Sequence, residues 1–208
     1  MKKMDIFEKL ERRRAKYRGH FGNHVVWAPR VLRIEPEWAR QIYVREKTWE
    51  FRKKVLPLSG DVYLFETAPV NAITGSVDID VTVSADADTI LAGVKRLSDR
   101  HFDSPGKRMA AFLKGYAKPF QPVVAHHVHT RRMFERPIAA GVEDDRGVFL
   151  DVPANPFDTP TLSFRDNESF LRLLDELYGT PAHRFWEDPA EAVERYDRIR
   201  NGKEAANG

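Results

Sequence analysis

The sequence predicts an α+β fold, a small and mainly antiparallel β-barrel with flanking helices. Segments in which apolar and polar residues alternate with the period of a strand follow the order strand, helix, three strands, a helical pair and strand. The chain has 208 residues, of which 42% are hydrophobic, enough for one core with an appended subdomain. Short strands in that order favour an antiparallel sheet that closes into a barrel.

The first elements are strands on either side of a short helix. A strand is predicted from His24 to Glu35, broken at Pro29, and a helix begins at Pro36, because proline suits the first helical position. The segment "KTWEFRKKV", residues 47–55, is the next strand, and residues 61–67 form another because β-forming residues dominate them.

The clearest strand pattern lies in residues 76–83. Four apolar residues alternate there with polar ones, which predicts a long strand: Val77, Ile79, Val81 and Val83. A helix over 86–97, a second helix from Ser104 to Gly115 and a strand over 121–134 complete the predicted domain.

Extensions at both ends divide the chain into three predicted parts. Residues 1–23 form a basic N-terminal helix or arm, residues 24–138 the barrel domain, and residues 139–208 an acidic loop followed by two helices. The first of those helices, over 166–179, carries an apolar stripe that a free helix would expose. The C-terminal extension is therefore expected to pack on the barrel.

Composition excludes several classes of protein. The chain has no cysteine, which excludes disulfides, thiolate metal sites and a cysteine nucleophile. It has no apolar run of about 18 residues, and its basic N-terminus lacks the apolar stretch of a secretory signal. We therefore expect a cytoplasmic monomer that has no membrane contact and needs no cofactor.

The net charge of +3 conceals an asymmetry along the chain. Residues 1–138 carry 26 Lys and Arg against 16 Asp and Glu, a net charge of +10, whereas residues 139–208 carry 8 against 15, a net charge of −7. A basic body suggests a polyanionic partner. Attraction between the two parts of the chain explains the same asymmetry, so both interpretations stay open.

The segment "REKTWEFRKKV", residues 45–55, places charge and aromatic side chains on opposite faces of one strand. At strand period Thr48, Glu50 and Arg52 point one way, and Lys47, Trp49 and Phe51 point the other. The aromatic face is explained by burial. The polar face is either a lined pocket or an ion pair on a solvated surface.

Three motifs in order resemble the ASCH family of small PUA-like domains. They correspond to a G-x-K-x-x-E-x-R strand, a strand that ends in Y-x-S/T-x-P, and an I-x-G strand, and the resemblance covers about residues 30–138. The matching residues are Lys47, Glu50 and Arg52, then Thr67 and Pro69, then Ile73 and Gly75. One departure is Arg45, which stands where the pattern has glycine, a residue that permits an unusual backbone conformation.

The resemblance implies a PUA-like barrel with a cleft beside the helix, edged by Lys47, Glu50 and Arg52. Arginine offers a planar fork for a phosphate or a base edge, and glutamate accepts from an exocyclic amine. The hydroxyls of Thr48 and Thr67 add further polar contacts. The expected ligand-binding residues of this part are Lys47, Thr48, Glu50, Arg52, Thr67 and Pro69.

The run "AHHVHTRR" adds three further candidate residues. His127, His129 and Arg131 share one face of a predicted strand, while His126 lies on the opposite face. Base stacking or phosphate contact is one interpretation, and a polar outer face of the sheet is the other. An H-x-H pair binds zinc only with a third ligand, which the sequence does not identify, so no metal is predicted.

The functional prediction is binding of RNA or a modified nucleoside in a cleft lined by Lys47, Glu50 and Arg52. One alternative is a hydrolase that acts on RNA or a modified nucleoside, with Lys47 and Glu50 as its catalytic residues. Related amidohydrolases use a threonine three residues after the lysine, and Glu50 stands there, which argues against their acyl chemistry. The other alternative is a regulatory module that binds proteins.

Overall fold

The structure is a computed structural model with two sheets and four helices in its described part. It describes residues 25–27, 30–53, 58, 60–98, 122–152, 160–179, 183–184 and 189–201. The predicted N-terminal helix, the helix from Ser104 to Gly115 and the last residues of the chain lie outside this part. No helix in the described ranges has the length and apolarity needed to span a membrane.

The larger sheet contains six strands. Its order is β2-β4-β5-β6-β3, and β9 lies beside β6 as well. The strands are β2 (Val31–Ile34), β3 (Trp49–Arg52), β4 (Gly60–Glu66), β5 (Ala72–Ala85), β6 (Val123–Ala139) and β9 (His183–Arg184). β2 pairs with β4 in parallel, and β3 pairs with β6 in antiparallel fashion.

The mixed α+β class of the prediction is confirmed, but its closed barrel is not. The larger sheet is an open path between the edge strands β2 and β3 in the part of the chain that the structure describes. The predicted strand from His24 to Glu35 is two strands that belong to different sheets. Its first piece, β1 (Val25–Trp27), lies in the smaller sheet, in the order β1-β8-β7 with β7 (Val148–Asp151) and β8 (Thr161–Phe164).

Strand β5 extends beyond the predicted alternation at both ends, and only part of its apolar set is buried. Val77 and Ile79 are buried, whereas Val81 is 44% exposed and Val83 is 39% exposed. The four residues therefore do not share one buried surface. The strand ends at α2 (Ala87–Ser98), whose first turn is capped by Asp86, which accepts hydrogen bonds from the amide of Thr89 (2.9 Å) and its hydroxyl (2.6 Å).

The chain divides into two compact units. The first unit comprises residues 1–34, 63–75 and 132–182, and the second comprises residues 35–62, 76–131 and 183–208. Neither unit coincides with a part of the predicted three-part division, and that division stays a prediction.

The first unit has a core of aliphatic and aromatic side chains around α3 (Asn167–Gly179). Phe170, Leu174 and Leu177 of this helix are buried, and the edge of the Phe170 ring meets the ring of Phe164 on β8 at a centroid distance of 5.0 Å. Strands β7 and β8 were not predicted, because each has four residues and lies among prolines and aspartates that favour turns.

The second unit buries one face of β3 under α2. Trp49 and Phe51 of β3 pack with Ile90 and Leu91 of the helix, and Ala125 of β6 completes the contact. Two further helices of this unit contact each other, α1 (Pro36–Tyr43) and α4 (Pro189–Asn201). Tyr196 of α4 meets both the ring of Tyr43 and the guanidinium of Arg40.

Candidate functional site

Strand β3 separates its side chains as the alternation predicts. Its pairing with β6 places Trp49 opposite His127, Glu50 opposite His126 and Phe51 opposite Ala125. Because paired residues of neighbouring strands point to the same side of a sheet, Glu50 and His126 share one face and Trp49 and His127 share the other.

Glu50 is held by two cations, an arrangement that we call the cation clamp. The ammonium of Lys47 bonds to Oε2 of Glu50, and Nε of Arg52 lies 2.8 Å from Oε1. The side chain of Glu50 is only 5% exposed, whereas those of Lys47 and Arg52 are 16% and 26% exposed. The clamp therefore carries a net charge of +1, and the parts that meet water are cationic.

Lys47 reaches the clamp because it precedes β3. The sequence placed Lys47 on the face of Trp49 and Phe51, but β3 begins at Trp49, so strand alternation does not govern position 47. The amide of Lys47 donates to the carbonyl of Gln41 (2.9 Å), which keeps this segment at the end of α1. Its ammonium lies 4.8 Å from the ring centroid of Trp38, within reach of a cation–π interaction.

His126 belongs to the face of the clamp, and sequence reasoning missed it. The ring is fully buried, its Nδ1 lies 2.9 Å from the hydroxyl oxygen of Thr82, and Nε2 has no hydrogen-bond partner in the described structure. Burial lowers the pKa of His126, Glu50 raises it and Arg52 lowers it. Alternation separated His126 from its neighbours in sequence, but only the register between β3 and β6 brings it to Glu50.

His127 lies on the other face of β6, away from Glu50 and Arg52. Its Nδ1 is 2.7 Å from Oδ1 of Asp80, and its ring packs against Trp49 at a centroid distance of 4.8 Å. The more exposed His129 points its Nδ1 at the same carboxylate, 3.6 Å from Oδ2. The two histidines and the clamp therefore occupy opposite faces of the sheet, and their contact with a ligand stays a prediction.

The surroundings of this histidine pair are acidic. Burial raises the pKa of Asp78, with Asp61 and Asp80 raising it further and His129 lowering it. Three carboxylates beside two imidazoles make a poor surface for a phosphate chain. No three or more His, Asp or Glu side chains among the residues described are arranged so that they could hold a metal ion.

The alternation of β5 is interrupted where it passes these two faces. Asp80 contacts His127, but Thr82, two residues later, contacts His126 on the opposite side of β6. Residues two apart on a regular strand point the same way, so the backbone departs from the regular pleat between Asp80 and Thr82.

The remaining predicted residues have other surroundings. Arg131 is buried, and its Nε donates to the carbonyl of Tyr43 (2.7 Å), which ties the last turn of α1 to β6. Contact of Arg131 with a ligand stays a prediction. Thr67 and Pro69 lie in the first unit, where the amide of Thr67 donates to Ile34 (2.9 Å) and Pro69 is exposed; their contact with a ligand stays a prediction.

A comparison with known sequences identifies the relationship. No family model matches the chain. An ASCH domain-containing ribonuclease of Zymomonas mobilis subsp. mobilis is 29% identical in an alignment of 102 residues, and the match covers 45% of this chain and 68% of the relative. This match supports membership of the ASCH domain family. The ASCH resemblance of the three strand motifs agrees with it.

Three solved ASCH structures are similar to part of this chain. A crystal structure of ASCH from Zymomonas mobilis has 21% identity and a TM-score of 0.47, and covers 73% of this chain and 94% of its own. Two single-residue variants of that protein have 22% and 23% identity, TM-scores of 0.48 and 0.47, and cover 73% of this chain and 97% and 95% of theirs. The family assignment rests on the sequence relative.

The structure gives a physical reason for the glycine of the ASCH strand motif. Arg45 occupies that position and has φ of 67°, in the left-handed region that glycine adopts without steric cost. It directly follows Val44, the C-cap of α1, and helices often have a left-handed residue at that place. The position is what turns the chain from α1 towards Lys47 and β3.

Proposed function

We propose that the chain binds single-stranded RNA or a modified nucleoside through the clamp face of β3. The observation that carries the proposal is the cation clamp: a carboxylate almost withdrawn from water holds two partly exposed cations in place. Preorganised cations are what recognition of a phosphate or a base edge needs, since the ligand does not have to order them. The ribonuclease name of the Zymomonas relative supports RNA as the class of partner.

Each residue of the clamp face has a separate part in the proposal. Arg52 presents its guanidinium fork to a phosphate or to the edge of a base. Lys47 contributes a point charge beside the ring of Trp38, and Thr48 contributes a hydroxyl at the start of β3. We further propose that the larger sheet forms part of the wall of a PUA-like barrel and that the cation clamp lines its cleft.

Glu50 is proposed to anchor the cations and not to act as a base. Both of its oxygens are engaged, so accepting a proton requires breaking one ion pair in a buried position. The variant Glu50→Gln separates the two roles. If Glu50 is an anchor, the variant binds the ligand more weakly and the wild type shows no hydrolysis. If Glu50 is a base, the variant loses hydrolysis while its affinity stays nearly constant.

The experiment is a titration of labelled single-stranded RNA and of a panel of modified nucleosides at low and at moderate salt. Wild type and Glu50→Gln are compared, and the products are analysed for hydrolysis. The proposal expects binding by the wild type and weaker binding by the variant. Absence of binding to every ligand at low salt contradicts it.

RNA cleavage is the second candidate function, and His127 is the observation in its favour. Asp80 fixes Nδ1 of a partly exposed imidazole, which leaves Nε2 for proton transfer, the arrangement expected of a general base. The acidic surroundings on that face argue against it. Cleavage that is lost in His127→Gln but kept in His129→Gln supports this candidate, and cleavage unaffected by either substitution contradicts it.

A further inference from the structure

His126 is the buried polar group that the proposed function leaves unexplained. It is fully buried on β6, directly across from Glu50 on β3. A buried imidazole normally has partners for both nitrogens, because each unmet hydrogen bond costs free energy. Here only Nδ1 has one, the hydroxyl of Thr82, and Nε2 has none among the described residues.

Glu50 is the residue opposite His126 in the strand pair, and its charge already has two partners. Lys47 pairs with one carboxylate oxygen and Arg52 with the other. The charged groups that influence His126 are Glu50 and Arg52, both on β3, and the group presented by β5 is the neutral hydroxyl of Thr82. Asp80 contacts His127 on the other face.

Ligand binding disturbs this balance. A phosphate or a base edge that engages Arg52 or Lys47 competes with Glu50 for the charge of that cation. The Glu50 carboxylate is too deeply buried for water to replace the lost cation, and an uncompensated buried charge is strongly unfavourable. Another cationic partner for Glu50 in the ligand-bound state would offset the free-energy cost of the uncompensated charge.

We propose that His126 is this other cationic partner: when a bound ligand draws Arg52 or Lys47 away from Glu50, His126 takes up a proton from solvent and pairs with the freed carboxylate. This inference rests on the proposed function of the clamp face. It makes His126 a positioning residue that acts through Glu50, and it predicts that ligand binding is coupled to proton uptake.

The direction of the coupling follows from linkage. The pKa of His126 is lowered by burial in the free protein and rises when Glu50 becomes its partner. The bound state therefore holds more protons, so affinity is greatest below the free-state pKa and falls as pH rises through the bound-state pKa. One coupled proton limits the slope to about tenfold in affinity for each pH unit.

The first test needs no ligand. The ring signals of the histidines are followed by NMR as pH changes, and the signal missing from His126→Gln identifies His126. Arg52→Met mimics the withdrawal of one cation and should raise the pKa of His126. Because losing a positive charge alone also raises that pKa, the same substitution is made in Glu50→Gln protein. A much smaller rise in the Gln background supports the proposal, and equal rises in both backgrounds overturn it.

The second test measures the affinity of a short fluorescent single-stranded RNA at about pH 6 and about pH 8. We expect the wild type to lose about three- to tenfold in affinity between these values, a loss that His129→Gln retains and His126→Gln lacks. A pH dependence that survives in His126→Gln overturns the proposal. If the wild type binds no RNA at either pH, the proposed function fails, while the NMR cycle still decides whether His126 becomes a partner of Glu50.

Discussion

Replacing Gly147 by alanine is expected to destabilise the first unit for two separable reasons. Gly147 has φ of +76°, a conformation that costs an alanine about 1–2 kcal/mol. A Cβ at this position would also lie 2.5 Å from Oγ and 3.2 Å from Cβ of Ser169, and relieving such overpacking costs about 1–3 kcal/mol. Alanine also restricts the unfolded chain more than glycine does, which offsets about 0.4–1 kcal/mol of the lost stability.

The net expectation for Gly147→Ala is a loss of about 3 kcal/mol, or about 6–12 °C in Tm for a chain of this length. Gly141→Ala is the matched control, because Gly141 has φ of +78° but no atom within 4 Å of an added Cβ. The control should show only the backbone cost. Urea unfolding and thermal melting of both variants provide the comparison.

A double-mutant cycle with Ser169→Ala isolates the steric part. Removing Oγ removes the closest contact, so Gly147→Ala should cost about 1–2 kcal/mol less in that background. Equal losses for Gly147→Ala and Gly141→Ala, or no coupling to Ser169, would refute the packing argument.

Three further predictions concern stability. Arg146→Met should lower the free energy of unfolding by about 2–4 kcal/mol in urea, because the buried guanidinium pairs with the partly exposed Asp144 and Glu176. Arg172→Met, at an exposed ion pair, should lower it by less than about 0.5 kcal/mol, and similar losses for the two variants would contradict the prediction. Arg45→Gly should be more stable than Arg45→Ala by up to about 1 kcal/mol, because only alanine carries the full cost of positive φ; the reverse order in thermal melts would be inconsistent with it. The amide of Ser169 donates to Asp166 and holds the pKa of that carboxyl below 3.8, so its stabilisation is present above pH 3.8 and is lost as pH falls through the lowered pKa; acid unfolding of Asp166→Asn should lack this part of the pH dependence.

The sequence predicted the elements that have strong periodicity or clear ends. The alternation around Trp49 and Phe51 placed both aromatic rings in a core, and Pro36 marked the start of α1. Strands β7 and β8 were not predicted because four-residue strands show little periodicity. Their stability comes from pairing with each other and from packing under α3.

For the candidate site, the sequence predicted the faces of each strand but not how the strands pair. Alternation placed Glu50 and Arg52 on one face, and it correctly separated His126 from His127. It contained no information on which residue of β6 lies opposite Glu50, since register is set by contacts distant in sequence. His126 was therefore not among the predicted site residues, although it lies opposite Glu50.

The measurement that tests the central claim most directly compares Arg52→Ala with Lys53→Ala in binding to single-stranded RNA. Lys53 directly follows β3 and is exposed, so it contributes mainly screened attraction and should change chiefly the salt dependence. Arg52→Ala should weaken binding by about 1–3 kcal/mol, or about 5- to 150-fold, by analogy with bidentate base contacts, with melting curves run in parallel to show that both variants are folded. Fluorescence anisotropy at two salt concentrations should find the larger loss at Arg52 in both. Equal effects of the two substitutions, or full affinity in folded Arg52→Ala protein, would contradict recognition of RNA by the clamp face.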